Sequence, residues 1–270
     1  MGKFSGMLFC TDLDGTLYSD DKTVSKENLD AIEYFKSEGG LFTFITGRVP
    51  KTSVHICDTV KPNAPFGCFN GGAVYDLTDE KYLYTIPLPK DAMELVDFVD
   101  RNLPEIGIQL TTAKDSYFFK DNPVMARFRN ITGIPLLTGP FDEHKEPVLR
   151  IVFAHADVDK MDELIRLLDS HPKAECFDFI RSEKVYYEIL PKGVSKGLAL
   201  IKMAELLGID PKNTIAVGDY NNDISMIKAA GLGFAVENAV EEAKAAADLI
   251  TVSNNESAIA AIVSYLDNII

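Results

Sequence analysis

Two aspartates, one residue apart, close the first apolar run of the chain. The run at 7–11 leads directly into Asp12-Leu13-Asp14-Gly15. Like charges held close together disfavour each other's ionisation, so such a pair needs a compensating positive charge. A second acidic cluster, Gly218-Asp219-Tyr220-Asn221-Asn222-Asp223, follows another apolar run near the end of the chain. Hard divalent cations bind such oxygen ligands, and the two clusters together predict one Mg²⁺ site.

The side chains near these clusters suit phosphoryl transfer. Asp12 is the candidate nucleophile, because a carboxylate forms an acyl phosphate that water then hydrolyses. Asp14 can protonate the leaving oxygen and later take the proton of the attacking water, and its backbone carbonyl can also reach the metal. Thr46 and the backbone N–H of Gly47 offer donors to phosphate oxygens, and Lys196 supplies a point charge for the transferring group.

The elements that must position these residues alternate between strand and helix. Apolar runs at 7–11, 41–45 and 214–217 each end in one of the polar clusters, and helical spacing fills the intervals. This rhythm predicts an α/β core with a Rossmann-like, doubly wound parallel sheet. In such sheets ligands bind outside the carboxyl ends of the strands, so we expect Asp12, Thr46 and Asp219 to share one crevice.

The middle of the chain has a different pattern and predicts an inserted α+β cap domain. Helices are predicted at 91–102 and 157–170, and strands at 107–112, 148–154, 174–180 and 185–189. Residues 115–147 are rich in Pro, Gly and Asn and show no clear period. We therefore expect a discontinuous catalytic core at 1–84 and 190–270, and a cap at 85–189.

Four segments, in this order, resemble the motifs of the haloacid dehalogenase superfamily of phosphohydrolases. They are Asp12-Leu13-Asp14-Gly15-Thr16-Leu17, Thr46 at a strand end, Lys196 before a helix, and the Gly218–Asp223 cluster. Too few residues separate Asp12 from Thr46 for a cap inserted there, whereas the stretch from Thr46 to Lys196 has room for one. This spacing is similar to that of the Cof-type sugar-phosphate phosphatases, which carry a large α+β cap.

The resemblance implies a Mg²⁺-dependent phosphatase that acts on small phosphorylated metabolites, with sugar phosphates foremost, through an aspartyl-phosphate intermediate. It implies Asp12, Asp14 and Lys196 as catalytic residues, and Asp12, Asp14 and Asp219 as metal ligands. The phosphate contacts it implies are Thr46, Gly47, Lys196 and Asn222. Two alternatives stay open: a phosphomutase or phosphotransferase with the same nucleophile, and a non-catalytic phosphosugar-binding regulator.

Several residues keep two interpretations each. Arg48 either points into the pocket or pairs with a core carboxylate. Asn70 either contacts ligand or serves the turn in Asn70-Gly71-Gly72, and Asp223 is either functional or an ordinary carboxylate at a helix start. Cap side chains that could grip the leaving group are Arg127, Arg129, Arg150, Arg181 and Tyr187.

The composition of the chain limits the kinds of partner that it can bind. The formal charge of −14 argues against nucleic acid, which requires a concentrated basic face. The chain has 4 cysteines without metal-binding spacing, which favours reduced, buried thiols and a cytoplasmic location. No apolar stretch has the length that a membrane span needs. We expect a small phosphorylated metabolite as the partner, and no nucleic acid or membrane; the oligomeric state stays open.

Overall fold

The computed structural model describes residues 2–138 and 146–270, which separate into two compact units. The first unit is Met1–Tyr84 with Ser195–Ile270, and the second is Thr85–Val194. The strands are β1 (Leu8–Thr11), β2 (Leu41–Phe44), β3 (Phe66–Cys68), β4 (Ala73–Asp76), β5 (Lys81–Thr85), β6 (Gly107–Thr112), β7 (Ser116–Lys120), β8 (Val148–Ala154), β9 (Phe177–Glu183), β10 (Tyr186–Pro191), β11 (Thr214–Gly218), β12 (Leu232–Ala235) and β13 (Leu249–Ile250). The helices are α1 (Lys26–Ser37), α2 (Val54–Val60), α3 (Ala92–Asn102), α4 (Pro123–Thr132), α5 (Val158–Asp169), α6 (Lys196–Leu207), α7 (Ile224–Ala229), α8 (Glu241–Ala246) and α9 (Ala258–Ile269).

The first unit is built on a five-stranded parallel sheet in the order β13-β12-β11-β1-β2. Thr11 at the end of β1 pairs with Val217 of β11 on one side and Phe44 of β2 on the other. The chain runs from β1 to β2 on one side and later returns to β11 on the other. The strand order therefore reverses between β1 and β11, and such a switch point is where open α/β sheets bind ligands.

Helices cover both faces of this sheet. Leu8 and Cys10 of β1 pack with residues of α6, whereas Phe9 faces the opposite way and contacts Phe35 of α1. This alternation follows from the two-residue period of a strand, and it explains why every residue of β1 is buried. The predicted Rossmann-like, doubly wound core is confirmed.

A smaller antiparallel sheet, β3-β4-β5, also belongs mainly to the first unit. Its first two strands are joined through Asn70, which has the left-handed φ of 54° and is buried. The expected hairpin around Asn70-Gly71-Gly72 is therefore present. Gly71 has φ of 100°, and a Cβ there would lie 2.0 Å from the carbonyl oxygen of Ser195, so only glycine fits.

The second unit is an α+β domain with an antiparallel sheet in the order β7-β6-β8-β10-β9. Apolar side chains of β6, β8 and β10 form one core with residues of α3 and α5. The predicted boundary between residues 189 and 190 lies inside β10, a strand of this sheet. The sequence patterns predict no element between 115 and 147, where the structure has β7 and α4. Residues 139–145 of that stretch lie outside the described part.

The structure also bears on the expectations about the cysteines and about membrane-spanning segments. All four cysteines are free thiols; Cys10, Cys57 and Cys68 are buried, but Cys176 is exposed, so its predicted burial was wrong. Cys176 ends a short 3₁₀ turn just before β9, where its side chain is outside the core. Among the described residues, no helix combines the length and apolar character that crossing a membrane requires.

Candidate active site

The carboxyl ends of three adjacent strands place the predicted residues side by side. Asp12 directly follows β1, and Asp219 directly follows the neighbouring β11. On the other side of β1, the chain leaves β2 and reaches Thr46 two residues later. The parallel registers keep these strand ends level with one another, so all three segments lie at one edge of the sheet.

Lys196 is the centre of a buried ionic cluster. It is the first residue of α6, a helix capped by the Ser195 side chain, which accepts a hydrogen bond from the backbone N–H of Leu198. Its Nζ donates to Asp12 Oδ1 at 2.6 Å and to Asp223 Oδ1 at 2.5 Å. The Lys196 side chain is only 1% exposed, so these charges interact in a medium far less polar than water.

Asp223 also fixes the loop that carries Asp219. Its Oδ2 accepts the backbone N–H groups of Asp219 and Tyr220, both at 3.0 Å. Both of its oxygens are thus engaged, one by Lys196 and one by this loop. Asp223 therefore makes the capping contact expected of a helix-start carboxylate, through the Tyr220 N–H, and also binds Lys196 and the Asp219 loop.

Asp219 meets the loop after β1. Thr16 donates from its hydroxyl to Asp219 Oδ1 at 3.0 Å. Gly15 has φ of 86°, and a Cβ on it would lie 2.5 Å from Asp219 Oδ2. A glycine is therefore required at position 15 for two reasons, the left-handed backbone and the close approach of this carboxylate.

The cluster has an excess of negative charge that suits a divalent cation. Oxygens of Asp12, Asp219 and Asp223 all lie within 4.8 Å of one another. When all three carboxyl groups are ionised, the ammonium of Lys196 balances one of their charges and two negative charges remain. Burial raises the pKa of Asp12 to about 8, with further raising by the charges of Asp223 and Asp219 and an opposing effect of Lys196. Burial and the Asp223 charge likewise raise the pKa of Asp219 to about 6. A cation of charge two, with carboxylate ligands, fits this set.

The carboxylate of Asp14, a predicted metal ligand, lies outside that group of three. Arg48 donates to it from Nε, at 3.0 Å to Oδ2, and from Nη2, at 2.8 Å to each oxygen. Lys22 donates to Oδ1 at 3.1 Å. Burial alone would raise the pKa of Asp14, but Arg48 and Lys22 together hold it below its ordinary value. Arg48 thus pairs with a carboxylate, as one of its two interpretations expected, but that carboxylate belongs to the predicted site residue Asp14, whose side chain is 42% exposed.

The Thr46 loop is tied to the segment that carries Asn222. The backbone N–H of Asn70 donates to the carbonyl of Thr46 at 3.0 Å. Asn222 donates from Nδ2 to Asn70 Oδ1 at 3.1 Å. The hydroxyl of Thr46 accepts the backbone N–H of Arg48 at 3.2 Å, which leaves its own proton available as a donor. Asn70 therefore links Thr46 and Asn222, two predicted phosphate contacts, by hydrogen bonds, and it also forms the turn.

Most of the arginines and the tyrosine proposed for leaving-group contacts are engaged within the second unit itself. Arg129 pairs with Asp121, Arg150 with Glu188, and Arg181 with Asp162. Tyr187 stacks on Phe179 in the core of that unit. Arg127, which is exposed, forms no ion pair with another described residue.

Sequence reasoning missed three contacts of the site. The pairing of Lys22 with Asp14, the bond from Thr16 to Asp219, and the bond from Asn238 Nδ2 to the carbonyl of Gly15 at 2.8 Å had no recognised signal. Thr16 is part of the Asp12–Leu17 motif, so its position offered a clue. Lys22 and Asn238 lie in loops where no periodicity constrains the direction of a side chain.

Comparison with known proteins gives a consistent result. A family model described as haloacid dehalogenase-like hydrolase matches residues 9–263. YxeH of Bacillus subtilis is 31% identical over 264 residues, covering 94% of this chain and 95% of YxeH. The 5-amino-6-(5-phospho-D-ribitylamino)uracil phosphatase YitU of the same organism is 28% identical, covering 94% of each chain.

Solved structures share the fold. BT4131, a sugar phosphatase of haloacid dehalogenase subclass IIB, superimposes with a TM-score of 0.83 at 20% identity, covering 97% of this chain and 100% of BT4131. At that identity the likeness concerns the fold. The family and Cof-type architecture expected from the four motifs are confirmed.

Proposed function

Because the chain belongs to the haloacid dehalogenase-like hydrolases, we propose that it is a Mg²⁺-dependent phosphatase with Asp12 as the nucleophile. Its substrates are small phosphorylated metabolites, with sugar phosphates foremost. The hydrolysis passes through an aspartyl phosphate on Asp12. This proposal joins the family's hydrolytic chemistry to the particular atoms of the site.

The observation that carries the proposal is the state of the Asp12 carboxylate. Lys196 binds Oδ1, whereas Oδ2 accepts no hydrogen bond from any residue in the described ranges. The side chain is nevertheless almost buried, with Asp12 6% exposed. One oxygen is therefore anchored and the other keeps its lone pairs for attack, an arrangement that suits a nucleophile and gives a structural carboxylate no advantage.

Two displacements at phosphorus complete the reaction. In the first, Asp12 Oδ2 forms a bond to phosphorus while the ester P–O bond breaks, and Asp14 gives its proton to the leaving oxygen. In the second, Asp14 takes a proton from water as the water oxygen attacks phosphorus. The acyl phosphate P–O bond then breaks, which restores the Asp12 carboxylate and releases inorganic phosphate.

Groups around Asp12 hold the phosphoryl oxygens. Lys196 contributes its charge, and the Thr46 hydroxyl, the Gly47 N–H and the Asn222 amide contribute hydrogen-bond donors. Asp12, Asp219 and the backbone carbonyl of Asp14 would hold Mg²⁺, which supplies a positive charge for the phosphoryl oxygens. Asp223 keeps Lys196 and the Asp219 loop in position throughout.

The substrate class is supported by the relatives. YitU acts on a phosphoribitylamino compound, in which the phosphate is on a sugar-derived chain. A phosphate monoester of a small polyhydroxy compound is accordingly the class we assign. The strongly negative chain, at −14, would repel large polyanions, which also favours small substrates over nucleic acid.

The test is phosphate release from a panel of phosphorylated metabolites, with Mg²⁺ or with a chelator, for the wild type and Asp12→Asn. We expect Mg²⁺-dependent release from one or more sugar phosphates and none from the variant. Transfer to an added sugar without release to water would instead identify a phosphotransferase. Binding of the same compounds without turnover by the wild type would identify a phosphosugar-binding protein.

A further inference from the structure

The strongest contact of Asp14 is with Arg48, and it links two loops of the site. Nε and Nη2 of Arg48 both face the carboxylate, which gives the bidentate geometry that fixes a carboxyl group in direction as well as in distance. Asp14 belongs to the loop after β1, and Arg48 belongs to the loop that contains Thr46. The pair therefore sets the position of one loop relative to the other.

We infer that Arg48 is a positioning residue that aims the Asp14 carboxyl group at the leaving oxygen of the substrate. The inference rests on the proposed function, in which Asp14 is the proton donor. The clearest effect of this positioning is expected at the breaking of the ester bond, the step in which Asp14 delivers a proton to the leaving oxygen.

Arg48 is itself held firmly enough to serve this purpose. Its carbonyl accepts the backbone N–H of Phe69 at 3.1 Å, and its own N–H is bound by the Thr46 hydroxyl. Its guanidinium carbon lies 5.5 Å from the ring centroid of Tyr18, a distance at which a cation and an aromatic face attract. Backbone and side chain are both restrained, so the two nitrogens present a fixed edge to Asp14.

Lys22 contacts the same carboxylate but holds it less firmly than Arg48 does. Each carboxylate oxygen has two lone pairs. At Oδ1, Arg48 Nη2 occupies one and Lys22 the other. The Lys22 side chain is 65% exposed and binds by a single contact, whereas that of Arg48 is 34% exposed and binds by three. Arg48, the less exposed and more fully bonded of the two, is therefore the residue that fixes the direction of the Asp14 carboxyl group.

The test compares two substrates that differ in their need for a proton. Alkyl phosphates, such as glycerol phosphate, leave as alkoxides and need one, whereas p-nitrophenyl phosphate leaves as a stabilised phenolate and needs little help. For Arg48→Gln we expect kcat/KM to fall about 10- to 100-fold with the alkyl substrate, part of the 10²–10⁴-fold that a general acid contributes. With p-nitrophenyl phosphate we expect a loss of less than about 3-fold, since the acid matters little there.

A double-mutant cycle separates positioning from direct substrate binding. If Arg48 acts through Asp14, Arg48→Gln should have no further effect on alkyl-phosphate kcat/KM in an Asp14→Asn background. Arg101→Gln is the matched control, because Arg101 is exposed on α3 and, among the described residues, bonds only to the Asp97 carbonyl of its own helix. The control should leave both substrates unaffected, and melting curves should show that every variant is folded.

Equal losses of kcat/KM with both substrates, or losses that multiply in the double variant, would overturn the inference and assign Arg48 to phosphate binding or to general structure. The proposed function is judged separately, by wild-type release and its loss in Asp12→Asn. A wild type without phosphatase activity would overturn both the proposed function and the inference about Arg48. An active wild type, together with an Arg48→Gln variant that loses equal activity toward both substrates, would overturn the inference alone.

Discussion

Replacing Lys196 by methionine removes the ammonium group that pairs with two carboxylates of the buried cluster. Methionine keeps most of the length and apolar volume of the lysine stem, so packing is largely preserved. The ammonium is lost, however, and Asp12 and Asp223 then lose their contacts at 2.6 and 2.5 Å. Both carboxylates are left in a nearly water-free environment with Asp219 close by.

Breaking a buried ion pair by removing one partner costs about 3–5 kcal/mol. Because one ammonium serves two carboxylates here, we expect a loss near the upper end, about 4–5 kcal/mol, in the free energy of unfolding. For a domain of this size each kcal/mol lowers Tm by about 2–4 °C, so Lys196→Met should melt roughly 8–20 °C below the wild type in chelator. Added Mg²⁺ should recover part of this difference, because it restores positive charge to the cluster.

The assay is thermal unfolding followed by circular dichroism, with chelator and with Mg²⁺. Lys26→Met is the matched control: Lys26 is 80% exposed and pairs with Asp30 one turn away on α1. Exposed pairs of this kind contribute little to stability, so the control should shift Tm by less than about 2 °C. If Lys196→Met in chelator melted within that same range of the wild type, the described charge balance of the cluster would be refuted.

Two further predictions concern charge and backbone. In chelator, the raised pKa values of Asp12 and Asp219, against the ordinary 3.8, mean that the folded state binds more protons, so stability should fall as pH rises from 3.8 toward about 8. Melting curves should show that Tm falls less steeply with pH for Asp12→Asn in chelator, and for the wild type with Mg²⁺, than for the wild type in chelator. The same slope in all three samples would show that these carboxyl groups do not cause the pH dependence. Gly15→Ala should weaken Mg²⁺ binding, measured by calorimetry, about 10-fold or more, because its Cβ displaces Asp219. Gly6→Ala is the control, since Gly6 also has positive φ, 81°, but its Cβ would meet nothing within 4 Å; equal Mg²⁺ affinity in both variants would refute the steric argument.

The parts of the fold and site that could be predicted are those encoded by local spacing. Alternating strand and helix patterns identified the parallel sheet, and the polar clusters at strand ends brought Asp12, Thr46 and Asp219 to one edge. These inferences succeed because the residue that follows a short strand must lie close to the end of that strand. Lys196 was identified through its match to the motif of a lysine before a helix, and the structure places it as the first residue of a capped helix.

Contacts that depend on tertiary packing could not be predicted in the same way. Asp223 begins a helix, where aspartate is favoured by local effects alone, so its burial beside Lys196 left no separate signal. Arg48 and Asp14 meet across two loops whose side-chain directions no period defines. In the second unit, Asn122 and Pro123 did carry a helix-start signal that was overlooked, a capping side chain followed by proline at the first turn of α4.

The aspartyl-phosphate mechanism is tested most directly by finding which residue of the protein carries the phosphoryl group. Wild-type enzyme is mixed with substrate and Mg²⁺, quenched in acid within the first turnover, digested and analysed by mass spectrometry. We expect phosphate on the peptide that contains Asp12, and neither phosphopeptide nor turnover in Asp12→Asn. Phosphate on another side chain, or an Asp12→Asn protein that hydrolyses the substrate at the wild-type rate, would contradict it.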